Sequence, residues 1–351
     1  MIYFCKNFQK LTNSIFSSEK PLPLESGYVL PKYHLAYSTY GKLNEAKDNV
    51  VWIFHALTAN SEPLEWWPGL VGEGKLFDPE KYFIVCVNMP GSCYGSIGPL
   101  DKNPDSGQTY YHDFPFFTPR DMIRSYQPLK DFLGIEKIKI GIGGSMGGQQ
   151  LLEWAIEEPG LFEYIFPIGT NAKHSPWGIA LNAAQRMSIE ADKTWKEKNA
   201  NAGMEGMKAA RSIALISYRN YETYHATQKE DHLELIENFK SESYQKYQGE
   251  KLGKRFNAFS YYFLSKGMDS HNVGRRRGSV EKALQKIKAK TLAIGISTDI
   301  LFPVNEQKLI AENIPNGEFV EINSLYGHDG FLLEYEQLHR IISHFLGEGK
   351  I

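Results

Sequence analysis

Residues 139–154 read KIGIGGSMGGQQLLEW: an apolar run, then Gly143-Gly144-Ser145-Met146-Gly147, then helix formers. Strand, G-x-S-x-G, helix is the context in which this pentapeptide makes a nucleophile elbow, with the serine strained and its Oγ exposed. The flanking glycines let strand and helix approach with no Cβ between them. Read alone, the same glycine-rich turn also suits a phosphate cradle at a helix N-terminus. An elbow of the catalytic kind makes two further demands: an acid and then a histidine, each on a loop after a later strand. Asp299 follows the apolar run LAIGIS (292–297), and His328 follows EFVEI (318–322) inside NSLYGHDGFLLE. Each alone has an ordinary reading, Asp299 as a helix cap ahead of Pro303 and His328 as a turn histidine. Together, in the order Ser, Asp, His, they predict a triad for acyl chemistry.

The elements that must hold these residues are visible as strand-like runs near 33–40, 50–54, 82–88, 138–142, 164–169, 290–296 and 317–322. Helical patterns separate the later runs, which predicts a mostly parallel sheet with helices on both faces. VVWIFHALTANS (50–61) is a strand entering a small-residue loop, the position from which such sheets supply one amide of an oxyanion hole. This assigns the backbone N–H groups of Leu57 and Met146 to the hole. His55, at the strand end, is read as a structural residue bonded to loop backbone. From Asn171 to about Glu281 the strands stop, and polar, tyrosine-rich helix-forming sequence takes over. Residues 172–281 are therefore expected to be a helical lid inserted into a core made of 1–171 and 282–351.

The motifs HALTANS (55–61), WWPGLVGEGKLFDPEKYFIVCVNMPGSCYGSIGP (66–99), FPFFTPRDMI (114–123), GGSMGGQQLLEWA (143–155), STDILFP (297–303) and YGHDGFLLE (326–334) resemble the homoserine O-acetyltransferase family. The resemblance runs from about residue 30 to the C-terminus. It implies an α/β-hydrolase fold with a helical lid, Ser145 as nucleophile, His328 as base and Asp299 as the acid that orients it. It also implies that Arg211, Tyr218 and Asp329 hold the amino-acid acceptor, with acetyl-CoA as co-substrate and no permanently bound cofactor. Family members are typically dimers through the lid, so a homodimer is expected. Independently, a guanidinium fork suits an α-carboxylate, and a carboxylate suits an ammonium. Without the resemblance, Arg211 reads as an exposed helix arginine and Asp329 as a turn residue capping the next helix. The segment around Tyr218, SIALISYRNYETY, departs from commoner members, although its seven-residue spacing from Arg211 is kept. Three relatives of the reaction stay open: succinyl-CoA as donor, serine as acceptor, and hydrolysis by a lidded esterase or thioesterase. A non-catalytic protein on the same scaffold would lack a triad member.

Composition narrows the class. The chain has 351 residues, 42% hydrophobic, with a formal net charge of −2. That gives no basis for nucleic-acid or membrane-surface binding. The basic run Arg275-Arg276-Arg277 is read as a solvated loop, with the phosphates of coenzyme A as the alternative use. Cys5, Cys86 and Cys93 form neither a metal-ligand spacing nor a disulfide framework, so no metal is expected and a reducing cytoplasm is the expected compartment. Cys86 reads as a small core residue and Cys93 as a loop residue near the site. No secretion signal or run of about 18 apolar residues is visible.

Overall fold

The apolar runs of the sequence become strands of one sheet in the computed structural model, which describes residues 11–347; Cys5 lies outside the described residues. The strands are β1 (Leu11–Ser18), β2 (Leu22–Pro23), β3 (Val29–Leu30), β4 (Tyr33–Tyr40), β5 (Val50–Phe54), β6 (Phe83–Val87), β7 (Ile138–Gly144), β8 (Phe162–Ile168), β9 (Lys290–Ile296) and β10 (Gly317–Ile322). Eight of them form a sheet in the order β1-β4-β6-β5-β7-β8-β9-β10, while β2 and β3 make a separate hairpin. Pairing is antiparallel at β1–β4 and β4–β6 and parallel from β6 onward. Every residue of β5 and β6 is buried, as a strand covered on both faces requires.

The period of two is visible within β5. Trp52 and Phe54 enter one core cluster with Tyr126 and Trp154, whereas Val51 and Ile53 enter another with Trp67, Phe166 and Phe331. Each alternation commits a side chain to one face. The first face is covered by α2 (Pro119–Phe132) and α3 (Met146–Glu157). Trp52 meets Trp154 edge-on there at 4.9 Å. The second carries α1 (Pro63–Trp66) and α12 (Tyr335–Phe345), whose Leu338 and Ile342 are wholly buried. A capping box between Thr118 and Asp121, with Pro119 in the first turn, starts α2.

Between β8 and β9 the chain leaves the sheet for α4 (Pro176–Glu190), α5 (Met204–Tyr218), α6 (Tyr221–Gln228), α7 (Lys240–Gly253) and α8 (Ala258–Asp269). Ser175, Asn220 and Asn257 cap α4, α6 and α8 through their side chains, which cuts the helical sequence into separate pieces. Ile189, Met207, Phe259 and Leu264 from this segment join the first core cluster. The chain re-enters through α9 (Val280–Leu284) and closes with α10 (Val304–Asn313) and α11 (Gly330–Leu333).

All seven expected strands are present, but β1 and the β2–β3 hairpin were not anticipated. β1, LTNSIFSS, is an edge strand with Ile15 more than half exposed. The basic run also differs from expectation. Arg275 bonds Glu25 (Nη2–Oε2 2.6 Å), while Arg277 bonds Glu153 and Glu157, each at 2.7 Å. Arg120 joins the same carboxylates, 2.7 Å from Glu25 and 3.0 Å from Glu153. Only Arg276 is exposed. Glu153 is buried in α3 and needs cations brought to it; the run is an ion-pair clamp rather than a solvated loop.

Candidate active site

Ser145 stands between β7 and α3 with φ 57° and ψ −128°, in a region that non-glycine residues adopt only under constraint. The constraint comes from its glycines. A Cβ on Gly147 would lie 2.1 Å from the Phe54 carbonyl oxygen, and one on Gly143 would lie 2.6 Å from the backbone of Gly147. The Ser145 N–H donates to Ile168 O at 3.0 Å, and the Thr170 hydroxyl donates to Ser145 O at 2.7 Å. Ser145 is therefore pinned between the ends of β5, β7 and β8.

The other two members converge on this point from the same edge of the sheet. Asp299 follows β9: its Oδ1 accepts from the Leu301 and Phe302 amides at 2.8 and 2.9 Å, which holds the carboxylate rigidly. Its Oδ2 accepts from His328 Nδ1–H at 2.6 Å. That bond fixes the tautomer and leaves Nε2 as the basic nitrogen. Both residues are buried. Gly169, directly after the Ile168 that Ser145 bonds, faces the pair: a Cβ there would stand 3.3 Å from Asp299 Oδ2 and 3.5 Å from His328 Nδ1. On the other flank, Gly144 touches the Phe331 ring, which lies 5.3 Å from the His328 ring. Asp299 thus caps no helix, since α10 begins after Pro303 without a side-chain cap; it ties its own loop and partners His328.

Leu57 and Met146 are buried where the sequence put them, after β5 and at the first turn of α3. Among the described residues neither amide has a hydrogen-bond acceptor. A buried amide at a helix start, that of Met146, and another in the turn after β5, that of Leu57, are the pair of donors from which an oxyanion hole is made. His55 is structural, as expected: Nδ1–H donates to Ala56 O at 2.8 Å and Nε2 accepts from the Met89 amide at 3.1 Å. Burial pulls it down to about 4, so it stays neutral. Cys93 offers no competing nucleophile, since burial pushes its thiol up to about 11.

Above His328 lie the residues expected to hold the acceptor. Arg211 and Tyr218 occupy one face of α5, with the Arg211 guanidinium 5.2 Å from the Tyr218 ring centre. The Tyr218 ring is 5.8 Å from the His328 ring. Burial keeps the Tyr218 phenol above its ordinary range, against the pull of Arg211. Asp329 is present beside His328, but it is not free: Arg219 pairs with it at 3.1 Å. Arg219 was not singled out in the sequence; its only signal there is its place next to Tyr218. Thr170, which steadies the elbow carbonyl, had no signal at all. Among the described residues no group of His, Cys, Asp and Glu is arranged to hold a metal ion.

This combination of parallel sheet, strained serine elbow and Asp–His pair defines the class. Residues 49–335 match the alpha/beta hydrolase fold family. A homoserine O-acetyltransferase of Cyclobacterium marinum is 50% identical over 96% of this chain and 95% of its own length, and the chain belongs to the homoserine O-acetyltransferase family. The fold is shared more widely than that. The crystal structure of the homoserine O-acetyltransferase of Bacillus anthracis superposes with a TM-score of 0.88 at 24% identity, covering 95% of this chain and 97% of that one. A mutant of the esterase E22 superposes with a TM-score of 0.87, also at 24% identity, over 95% of this chain and 99% of that one. Fold alone therefore does not separate transfer from hydrolysis.

Proposed function

We propose that Ser145, His328 and Asp299 form the triad of a homoserine O-acetyltransferase that works by ping-pong through an acetyl-Ser145 intermediate. His328 Nε2 takes the Ser145 proton as Oγ attacks the thioester carbonyl of acetyl-CoA. The Leu57 and Met146 amides hold the tetrahedral oxyanion until the C–S bond breaks, and the proton passes from His328 to the departing thiolate. Homoserine then enters, gives its hydroxyl proton to His328 and attacks the acetyl-serine. Collapse of the second intermediate frees O-acetylhomoserine and returns the proton to Ser145.

The observation that favours transfer over hydrolysis is Arg211. It is a half-buried guanidinium without a carboxylate partner among the described residues, facing the His328 side of the helical segment. An esterase has no use for such a charge, whereas an amino-acid acceptor brings a carboxylate to it. Asp329 then meets the acceptor's ammonium, and Tyr218 packs between Arg211 and His328. Residues 172–281 act as the lid that keeps water from the acyl-serine. Acetyl-CoA passes through as co-substrate and no cofactor stays bound. The α5–α7 face exposes Ile216, Tyr221 and Phe239 around a groove of about 580 Å³, and a second copy of the chain covers it in a homodimer. No helix among the described residues is long and apolar enough to cross a membrane; a cytoplasmic setting suits its substrates.

Incubation with acetyl-CoA, with and without homoserine, tests the reading, with succinyl-CoA and serine as parallel arms. Sustained thiol release is expected only with homoserine present, after a burst of about one CoA per chain without it. Full-rate CoA release without acceptor would make the protein a thioesterase. Ser145→Ala is expected to show no acetyl adduct by intact mass and a rate loss on the order of 10⁴ or more.

A further inference from the structure

The end of α5 and the turn that carries His328 are seated against each other by backbone. Gly327 has φ +61°, and a Cβ on it would lie 3.0 Å from the Tyr218 carbonyl oxygen and 3.0 Å from the Arg219 carbonyl carbon. Arg219 itself is held by its N–H, which donates to Leu215 O at 3.0 Å. The Arg219–Asp329 pair at 3.1 Å is therefore set by two rigid segments, and both side chains are largely buried. Among the described residues Arg219 is the one charged partner of the Asp329 carboxylate, which receives no hydrogen bond from any other side chain or amide.

Arg211, about two helical turns back along α5, is the alternative cation. The Tyr218 ring links the two ends of the site: the Arg211 guanidinium lies 5.2 Å from its centre, and the ring of His328, the neighbour of Asp329, lies 5.8 Å from it. With Arg219 absent, Asp329 has Arg211 as the remaining cation to turn to. An Arg211–Asp329 pair would neutralise both ends of the acceptor site and shut it.

We infer that Arg219 is a positioning residue for the acyl acceptor: its ion pair fixes Asp329 for the acceptor's ammonium and keeps Arg211 free for the acceptor's carboxylate. This rests on the acceptor assignment made under Proposed function. It adds that the site stays open because a second arginine occupies the acid between turnovers.

Arg219 also lines a cavity of about 180 Å³ with Thr223, Tyr224, Tyr244, Tyr326 and Leu333, which makes the inference open to chemical rescue. In Arg219→Ala, the homoserine KM is expected to rise roughly tenfold or more, while the CoA burst with acetyl-CoA alone is unchanged. Guanidinium chloride at low millimolar concentration should restore part of the lost acceptor affinity by filling the vacated space, and sodium chloride should not. Asp329→Asn should carry a similar loss, and the double variant should be no worse than Asp329→Asn alone. Arg219→Lys, which keeps the charge without the fork, should fall between, and it serves as the test if the alanine variant does not fold. An equal loss in both half-reactions would overturn the inference, as would an unchanged homoserine KM or indifference to guanidinium. Acetyl-CoA turnover by the unaltered protein without homoserine would instead overturn the acetyltransfer reading itself.

Discussion

Two groups of arginines flank the catalytic core, and they differ in what neutralises them. Arg120, Arg275 and Arg277 are tied to Glu25, Glu153 and Glu157 by ion pairs of 2.6–3.0 Å. Every cation in that clamp meets a carboxylate from another element, so it joins the residue 275–277 loop to α2, α3 and the segment before β3. The second group, at the end of α5, is out of balance: Arg219 has Asp329, and among the described residues Arg211 has the face of Tyr218 and no carboxylate. A clamp satisfies its own charges, whereas a binding site keeps one for its ligand. By that criterion Arg275 and Arg277, in the run more conspicuous in sequence, are structural, and Arg211 is the arginine left for chemistry.

Breaking the clamp should produce the largest change, and the change should be in stability. Arg120 is 4% exposed and Glu153 is 1% exposed, so Arg120→Met takes one of two guanidiniums from each of the buried carboxylates Glu25 and Glu153, leaving Arg275 and Arg277, and is expected to cost about 3 kcal/mol. A thermal melt should show a fall of several degrees, with the KM for acetyl-CoA unaltered in the folded protein. The opposite pattern, a small change in melting and a raised acetyl-CoA KM, would turn the clamp into a phosphate site and erase the contrast.

Acid should loosen the same clamp without any mutation. Burial raises the Glu25 carboxyl, but hydrogen bonds from Arg275 and Thr118 and the charge of Arg120 outweigh burial and hold it down to about 2, from an ordinary 4.5. A depressed carboxyl contributes stability above its unfolded value and loses it as pH falls through the folded one. The contribution, up to about 3 kcal/mol, should therefore fade between about pH 4.5 and 2. Melts across that range should show the loss, and Glu25→Gln should flatten it.

The contrast also explains what was legible in the sequence. Ser145 was, because the elbow is local: strand, glycines and helix are contiguous, and Gly143 answers a contact with Gly147 within the same turn. Asp299 and His328 were, because each stands just past an apolar strand, and parallel strands bring their C-terminal ends to one edge. β1 was not, since an edge strand with one solvated face need not be an apolar run. The clamp was not either, because its partners are remote: Arg275 and Glu25 are 250 positions apart, and Arg277 and Glu153 are 124 apart. Whether a charged residue is solvated or paired depends on such distant partners, so Arg275–Arg277 was misjudged and Arg219 passed over.

The smallest effect is the one that bears most directly on function. Arg211→Ala removes a guanidinium that no carboxylate in the described protein requires, so folding should barely register it, with a stability change within about 1 kcal/mol. What is lost is the counter-charge for an entering carboxylate, and charge-assisted bonds of this kind are worth roughly 1.5–3 kcal/mol. The homoserine KM should rise by about ten- to a hundredfold, while the CoA burst from acetyl-CoA keeps its rate, because the acceptor is absent from that step. An amine-bearing acceptor without the carboxylate should lose nothing further in the variant. A melt shifted as far as that of Arg120→Met, or a burst slowed in step with turnover, would place Arg211 with the clamp and leave the acceptor's carboxylate without a receiver.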